Sequence, residues 1–166
     1  VSVLQYRDDG ILPMALLNYL ARLGWSHGDQ EIFSLDEMQK LFNIDDINKS
    51  AAAFDLEKLL WVNQHYIQHL GLEELAQHAR AHFEEAGLDT TDSAHFFAVV
   101  DAQRTRAKTL LEMAEKSRVF FGAFAGFEED AAKKHLRAGA AEALTVTRQR
   151  LAGLDPWTSE ALQVAV

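Results

Sequence analysis

Residues 54–70 read Phe54-Asp55-Leu56-Glu57-Lys58-Leu59-Leu60-Trp61-Val62-Asn63-Gln64-His65-Tyr66-Ile67-Gln68-His69-Leu70. Aspartate is a residue type that caps helix N-termini, so Asp55 marks a start. At about 100° per residue, Leu56, Leu59, Leu60, Ile67 and Leu70 then share one stripe. Lys58, Trp61 and His65 fall on the opposite side. This is an amphipathic helix with a tryptophan on its nominally polar face. Such a ring either packs on a neighbouring element or domain, or stands as an exposed platform for a ligand or nucleic-acid base.

The same helical grammar extends in both directions. Upstream, Gly10-Ile11-Leu12-Pro13 opens a helix with proline in its first turn, where the missing N–H costs nothing. Leu16, Leu17, Leu20 and Leu23 recur at helical spacing, and Gly24 fits a left-handed cap. Ser34-Leu35-Asp36-Glu37 reads as a capping box, with Phe33 and Met38 placed for a hydrophobic staple. Downstream, Gly71 separates a helix over Leu72 to Ala86, which Gly87 closes. Leu88 to Asp92 is a linker-like turn. A helix carrying Phe96, Phe97, Val99 and Val100 leads into the basic turn Arg104-Thr105-Arg106-Ala107-Lys108. Thr109-Leu110-Leu111-Glu112 is a second capping box, opening a helix expected to bury Leu110, Leu111, Ala114 and Phe121, with Glu112 and Lys116 paired on its surface. Phe121 to Phe127, with Gly122 and Gly126, reads as a break between helices. Helical stretches near 128–138 and 140–152 follow, before Asp155-Pro156-Trp157. The only strand candidates are Val1 to Tyr6 and Glu31 to Phe33. The expected fold is therefore mainly α with at most two short strands.

Composition sets bounds on function. Hydrophobic residues make up 48% of the 166 and charged residues 25%, the balance of a globular chain. Pro13 and Pro156 are the only prolines, which favours long helices between them. With no cysteine, disulfides and thiolate metal sites are excluded, in keeping with a reducing compartment. No run approaches the roughly 18–20 apolar residues of a spanning helix, and no basic leader precedes an apolar run. The expectation is a soluble intracellular protein with no membrane partner. The first residue is valine, and the last six residues stop within a helical pattern, so the chain reads as a piece of something longer.

The net charge of −9 argues against a polyanion as partner, but its distribution matters more than its sum. Residues 1–70 carry 5 basic and 10 acidic groups, residues 71–100 carry 1 and 6, and the last twelve carry two acids. Residues 101–154 carry 10 basic and 7 acidic groups, the one net-positive stretch. Within it, Arg104, Arg106 and Lys108 precede a helix N-terminus, whose dipole and free N–H groups also favour phosphate. The turn is either an RNA contact or a solvated connector. Catalytic signals are missing: there is no G-x-G-x-x-G, no G-x-x-x-x-G-K-[ST] and no nucleophile elbow. The pairs His65/His69 and His78/His82 have i, i+4 spacing but lack the H-E-x-x-H glutamate and a third ligand, so they read as solvated surface histidines. Asp8/Asp9 and Asp45/Asp46 flank turns, where aspartate is common without catalysis.

Three stretches carry a resemblance. Tyr6-Arg7-Asp8-Asp9-Gly10-Ile11-Leu12-Pro13, continuing through Ala15 to Ser26, resembles the segment that follows the active-site lysine loop of bacterial-type glutamyl-tRNA synthetases, a class I family. Phe54 to Asn63, with Tyr66 and Ile67, is similar to that family's F-D-x-x-K-L-x-W-x-N pattern. Arg106-Ala107-Lys108-Thr109-Leu110 is similar, more loosely, to its R-x-K-T-L run. The resemblance implies a cytoplasmic glutamate–tRNA ligase that joins glutamate to its tRNA with ATP and magnesium. It implies that residues 1–70 correspond to a stem-contact domain and 71–166 to the first part of a helical anticodon-binding domain. The catalytic domain, with its H-I-G-H and K-x-S-K motifs, and the last anticodon subdomain would lie outside this chain. The fragment would then be inactive by itself and hold no cofactor or metal. Its partners would be a glutamate-specific tRNA and the catalytic domain of its own chain. The candidate tRNA-contacting residues are Arg104, Arg106, Lys108, Lys58 and Trp61: Arg106, the arginine of the R-x-K-T-L run, is expected to read the anticodon, while Lys108 and Arg104, which lacks that match, are expected as phosphate contacts of the basic turn. The alternative is a helical adaptor, unrelated to RNA, that docks a protein partner through the Trp61 face.

Overall fold

The protein was analysed as a computed structural model, described for residues 2–48, 53–122, 126–137 and 139–165. Among the described residues there are ten α-helices and no strand. They fall into two compact units, Val1–Ala123 and Phe124–Val166.

The first unit opens with α1 (Val3–Asp8), where a strand was expected from Val1 to Tyr6; Val1 itself lies outside the described residues. Its polar groups are satisfied locally. Ser2 accepts from the Leu4 N–H at the start, and at the end Gly10 N–H reaches the Arg7 carbonyl while Ile11 N–H reaches that of Tyr6. That pair of bonds is a Schellman stop, and it needs the left-handed φ of 80° that Gly10 adopts. Gly10 thus ends one helix as well as preceding the next.

Pro13 takes the first turn of α2 (Pro13–Gly24). Gly24 closes this helix without a left-handed turn, because Trp25 leaves it in extended conformation and drops its ring into a small cluster with Phe33 and Met38. The Ser34–Glu37 capping box forms in both directions and opens α3 (Leu35–Leu41), with Phe33 and Met38 buried in that same cluster. The extended run Glu31–Phe33 pairs with no strand. Asn18 holds it instead, donating to the Glu31 carbonyl at 2.8 Å and accepting from Phe33 N–H at 2.8 Å. Tyr66 donates to the Phe33 carbonyl at 2.6 Å, and its own burial pushes the phenol pKa up to about 12.

Asp55 caps α4 (Leu56–His69) through the Lys58 N–H. The buried stripe of α4 is Leu59, Val62, Asn63 and Ile67, turned slightly from the expected one, which leaves Leu56 exposed. This helix packs on α2, while α5 (Leu72–Glu85), α6 (Ser93–Gln103) and α7 (Leu110–Phe121) pack on one another. One continuous apolar core runs from Ile11 and Leu16 through Leu59, Phe83 and Phe96 to Met113. On α7 the inward residues are Leu110, Met113, Ala114 and Ser117. Leu111, expected inside, is exposed, and Phe121 is only half-buried. Among the described residues between the two prolines no helix exceeds 14 residues, because Gly71, Gly87 and the caps Asp55 and Asp92 cut the chain into short rods.

In the second unit, α8 (Glu129–His135), α9 (Ala140–Ala152) and α10 (Ser159–Ala165) carry no fully buried residue. Phe127, Leu136, Leu144 and Trp157 are exposed there. Of the break expected over Phe121–Phe127, Ala123, Phe124 and Ala125 lie outside the described residues, as does Val166 at the end of the terminal pattern.

The strongest tie in the first unit is a buried side chain. Asn63 Oδ1 accepts from Leu12 N–H at 2.8 Å, and its Nδ2 donates to the carbonyls of Gly10 at 3.2 Å and Lys108 at 2.7 Å. Gly10 also accepts from Leu110 N–H at 2.9 Å. A Cβ at Gly10 would stand 2.4 Å from the Leu111 nitrogen, so only glycine allows this approach. Asn63→Leu strands Leu12 N–H in the core and takes the partner from the partly buried Lys108 carbonyl; we expect a loss of about 3 kcal/mol in urea unfolding.

His82 is buried rather than solvated, with Nδ1 lacking a hydrogen-bond partner. Burial lowers its pKa, opposed by Glu85 and Asp8 and assisted by Arg7. His65 is lowered in the same direction, by burial and then by His69. A folded pKa below the unfolded value of about 6.5 means that the fold prefers neutral imidazole. Stability should therefore be complete above about pH 6.5 and fall as the pH drops through the depressed folded pKa. His82→Gln should flatten that fall in unfolding curves measured from about pH 7.5 to 5.

Candidate nucleic-acid interface

The outer face of α4 presents Lys58, Trp61 and His65, as its helical phase requires. Trp61 is 45% exposed, and the Lys58 ammonium stands 4.2 Å from its ring centroid, a cation–π contact. Lys58 also bonds Glu31 at 3.0 Å. Arg22 approaches the other oxygen of the same carboxylate at 3.2 Å. The Lys58 ammonium, aided by Arg22, holds the Glu31 pKa below the usual carboxylate range against the opposing effect of partial burial. His65 stacks on His69 at 4.0 Å, and His69 Nδ1 lies 2.7 Å from the His65 carbonyl. Among the described residues no group of three or more His, Asp or Glu side chains is placed to hold a metal ion.

The basic turn between α6 and α7 is held from beneath. Ala107 is fully buried, Arg106 N–H bonds the Gln103 carbonyl at 2.8 Å, and Asn63 fastens the Lys108 carbonyl. Thr109 caps α7 through Glu112 N–H, but the Glu112 carboxylate reaches one residue further back than a capping box requires and takes Lys108 N–H at 2.7 Å. Burial opposes the ionisation of Glu112; its bonds to Lys116 and to Lys108 N–H outweigh it and lower the pKa. With the N–H groups of Lys108, Leu110 and Glu112 already bonded, the helix start offers little free backbone to a phosphate. Any anion contact here belongs to side chains.

Those side chains point in different directions. Arg104 turns inward: its Nη2 donates to the carbonyls of Ile67 and Leu70 at the end of α4, and its Nη1 lies 3.4 Å from Asp101. Such a guanidinium closes a helix C-terminus, where orphan carbonyls and the dipole both favour a cation. Arg106 turns outward, exposed, with no side-chain hydrogen bond or ion pair to another described residue. Its carbonyl accepts from Lys116 Nζ at 2.7 Å, and Lys116 pairs with Glu112 at 2.6 Å, the i, i+4 pair expected. Lys108 lies 3.7 Å from Glu57, which is one turn before Trp61 on α4. The structure therefore brings Lys108 beside the Lys58–Trp61 stripe, with Arg106 on the same turn, and leaves Arg104 out of the group.

Sequence reasoning missed Glu31, Arg22 and Glu57 as neighbours of this face. Glu57 could have been found, since it is four residues before Trp61. Glu31 and Arg22 come from other segments, and no spacing signals them.

No helix among the described residues is long and apolar enough to cross a membrane. Residues 74–166 match the family model described as an anticodon binding domain, and residues 1–61 match that of the catalytic domain of class I tRNA synthetases (E and Q). Among solved structures, a glutamate tRNA ligase from Elizabethkingia meningosepticum is 30% identical, with a TM-score of 0.80 over 96% of this chain and 32% of that one. The glutamate-tRNA synthetase of Elizabethkingia anophelis is 31% identical, with a TM-score of 0.74 over 96% of this chain and 31% of that one. The chain thus spans about a third of the length of these relatives. An anticodon-binding match over more than half of the sequence, joined to a class I match over residues 1–61, places this chain in the glutamyl-tRNA synthetase family.

Proposed function

We propose that this chain is a tRNA-contacting, non-catalytic part of a cytoplasmic glutamate–tRNA ligase, which attaches glutamate to its tRNA during translation. One observation carries the reading. The three stretches that resemble the family meet at Asn63, which ties Gly10 and Leu12 to Lys108 directly beneath the exposed basic turn. Neither of the family's ATP motifs, H-I-G-H or K-x-S-K, stands in this sequence, so ATP and magnesium are read as ligands of the rest of the enzyme. Both belong, in this reading, to the catalytic domain of the intact enzyme, with which residues 1–70 would act as stem-contact domain and 71–166 as anticodon-binding domain.

Arg106 is the proposed base reader. Sequence-specific RNA recognition works best on single-stranded loops, whose base edges are open. An arginine can both stack on a base and donate a fork of hydrogen bonds, which lysine cannot. The anticodon loop is such a target, and glutamate and glutamine codons differ in their first base, hence in the third anticodon base. Lys108 would take a neighbouring phosphate, exchanging it for the loose Glu57 contact, while Lys58 and Trp61 lie against the adjoining stem. Arg104 acts at one remove, by closing α4 under the turn.

Titration of this chain with glutamate tRNA at low and moderate salt tests the reading; no binding at low salt would overturn it. Arg106→Gln should weaken binding by about 1–3 kcal/mol, a base-contact magnitude known from DNA readout, and relax the preference at the third anticodon base. Lys108→Ala should weaken all tRNAs alike and reduce the salt slope by about one. Arg104→Met should instead lower stability by about 1.5–3 kcal/mol in denaturant unfolding, with the salt slope intact.

A further inference from the structure

Lys58, whose ammonium stands 4.2 Å from the centroid of the Trp61 ring, is itself committed to Glu31. Its two carboxylate oxygens are both in use, one by Arg22 at 3.2 Å and the other by Lys58 at 3.0 Å. Its backbone is anchored as well, because Asn18 donates to the Glu31 carbonyl at 2.8 Å and fixes Phe33 two residues on. The carboxylate therefore cannot drift from Lys58 with its loop. The Lys108–Glu57 pair differs in kind: at 3.7 Å, with the Glu57 side chain 80% exposed, it restrains little. Glu31 itself helps to line a cavity of about 220 Å³, together with Arg22, Lys58, Asn18, Tyr19 and Asp55. It gives the carboxylate, or an incoming phosphate, room to move.

We infer that Glu31 is a specificity-determining residue of the RNA-contact face, a latch that holds Lys58 over the Trp61 ring and that an RNA phosphate must displace. The inference rests on the tRNA-contact reading given above and adds a selection rule to it. A flexible single strand that brings one phosphate to Lys58 exchanges one ion pair for another and gains little. A folded RNA brings several phosphates and a rigid surface at once, so the exchange at Glu31 is offset by contacts to Lys108, Arg106 and the uncovered indole. The latch thus discriminates against loosely structured RNA more than against tRNA. It also suits a chain of net charge −9, whose few cations would otherwise attract any polyanion.

The experiment compares the parent chain, Glu31→Gln and Glu115→Gln in filter binding at low salt, with glutamate tRNA and with oligouridylate of similar length. Glu115→Gln removes the same charge from a separate ion pair, that with Arg118. With the latch removed, oligouridylate should bind about two- to fivefold tighter, the range of a surface ion pair, while tRNA gains less and the ratio between them falls. In protein labelled with 5-fluorotryptophan, the Trp61 resonance, assigned by Trp61→Phe, should shift in free Glu31→Gln as Lys58 leaves the ring. Glu31→Asp, whose shorter arm reaches Lys58 less well, should be intermediate in both measurements, and unchanged helicity and melting point report that the fold is kept. An unaltered ratio in Glu31→Gln, or the same gain in Glu115→Gln, overturns the latch alone. Failure of the parent chain to bind either RNA removes the tRNA-contact reading and the latch with it.

Discussion

The buried carboxamide of Asn63 makes three hydrogen bonds to backbone groups that are more than forty residues away in sequence. It is the constraint on which the first unit depends, because it closes the junction of α1 and α2 on one side and the start of α7 on the other. An amide side chain suits such a junction, since one oxygen and one NH2 group can satisfy an N–H and two carbonyls at once without bringing a charge inside. At one of its partners the chain has no freedom to substitute. Gly10 must be glycine both for its backbone angle and for its approach to Leu110 and Leu111. Apolar packing supplies the bulk of the core, but this knot sets its register.

The same knot explains how the basic turn can be held in place while remaining on the surface. Ala107 is buried and the Lys108 carbonyl is fastened from below, so the polypeptide between α6 and α7 is held by its backbone and its small residue. Its long side chains are then free to differ in role. Arg104 folds under to close α4, Lys108 leans toward Glu57 and Arg106 extends into solvent. Three cations that are equivalent by spacing become one structural brace and two surface groups.

Electrostatically the face is a set of near-neutral pairs: Lys58 with Glu31, Lys108 with Glu57 and Lys116 with Glu112. That is how an acidic chain can carry a candidate polyanion contact without a broad positive field. Exposed pairs of this sort add little to stability, so their effect lies in what they make a ligand displace. In the second unit the situation is reversed: α8, α9 and α10 have apolar side chains at the surface and no fully buried residue. Its helices follow local sequence signals, whereas those of the first unit are welded by long-range packing.

Much of this was legible in the sequence. Asp55, Ser34 and Thr109 as caps, Pro13 in a first turn, Gly87 as a stop and the outward phase of Lys58 and Trp61 all follow from interactions within about one helical turn, and each forms as read. What the sequence could not decide depends on atoms brought together from afar. Val3–Asp8 is a helix although Val1 to Tyr6 reads as a strand candidate, because the Gly10 stop completes its hydrogen bonds and the knot holds Gly10 in place. Glu31–Phe33 stays an unpaired extended run because Asn18 and Tyr66 satisfy its backbone. His82 is buried beside Phe83 and Ala79 although its i, i+4 partner His78 is exposed, and Arg104 is drawn inward by the open carbonyls of α4. Local rules assign hydrogen bonds that close over three or four residues; where a polar group must find its partner thirty or fifty residues away, only the packed structure determines which partner it is.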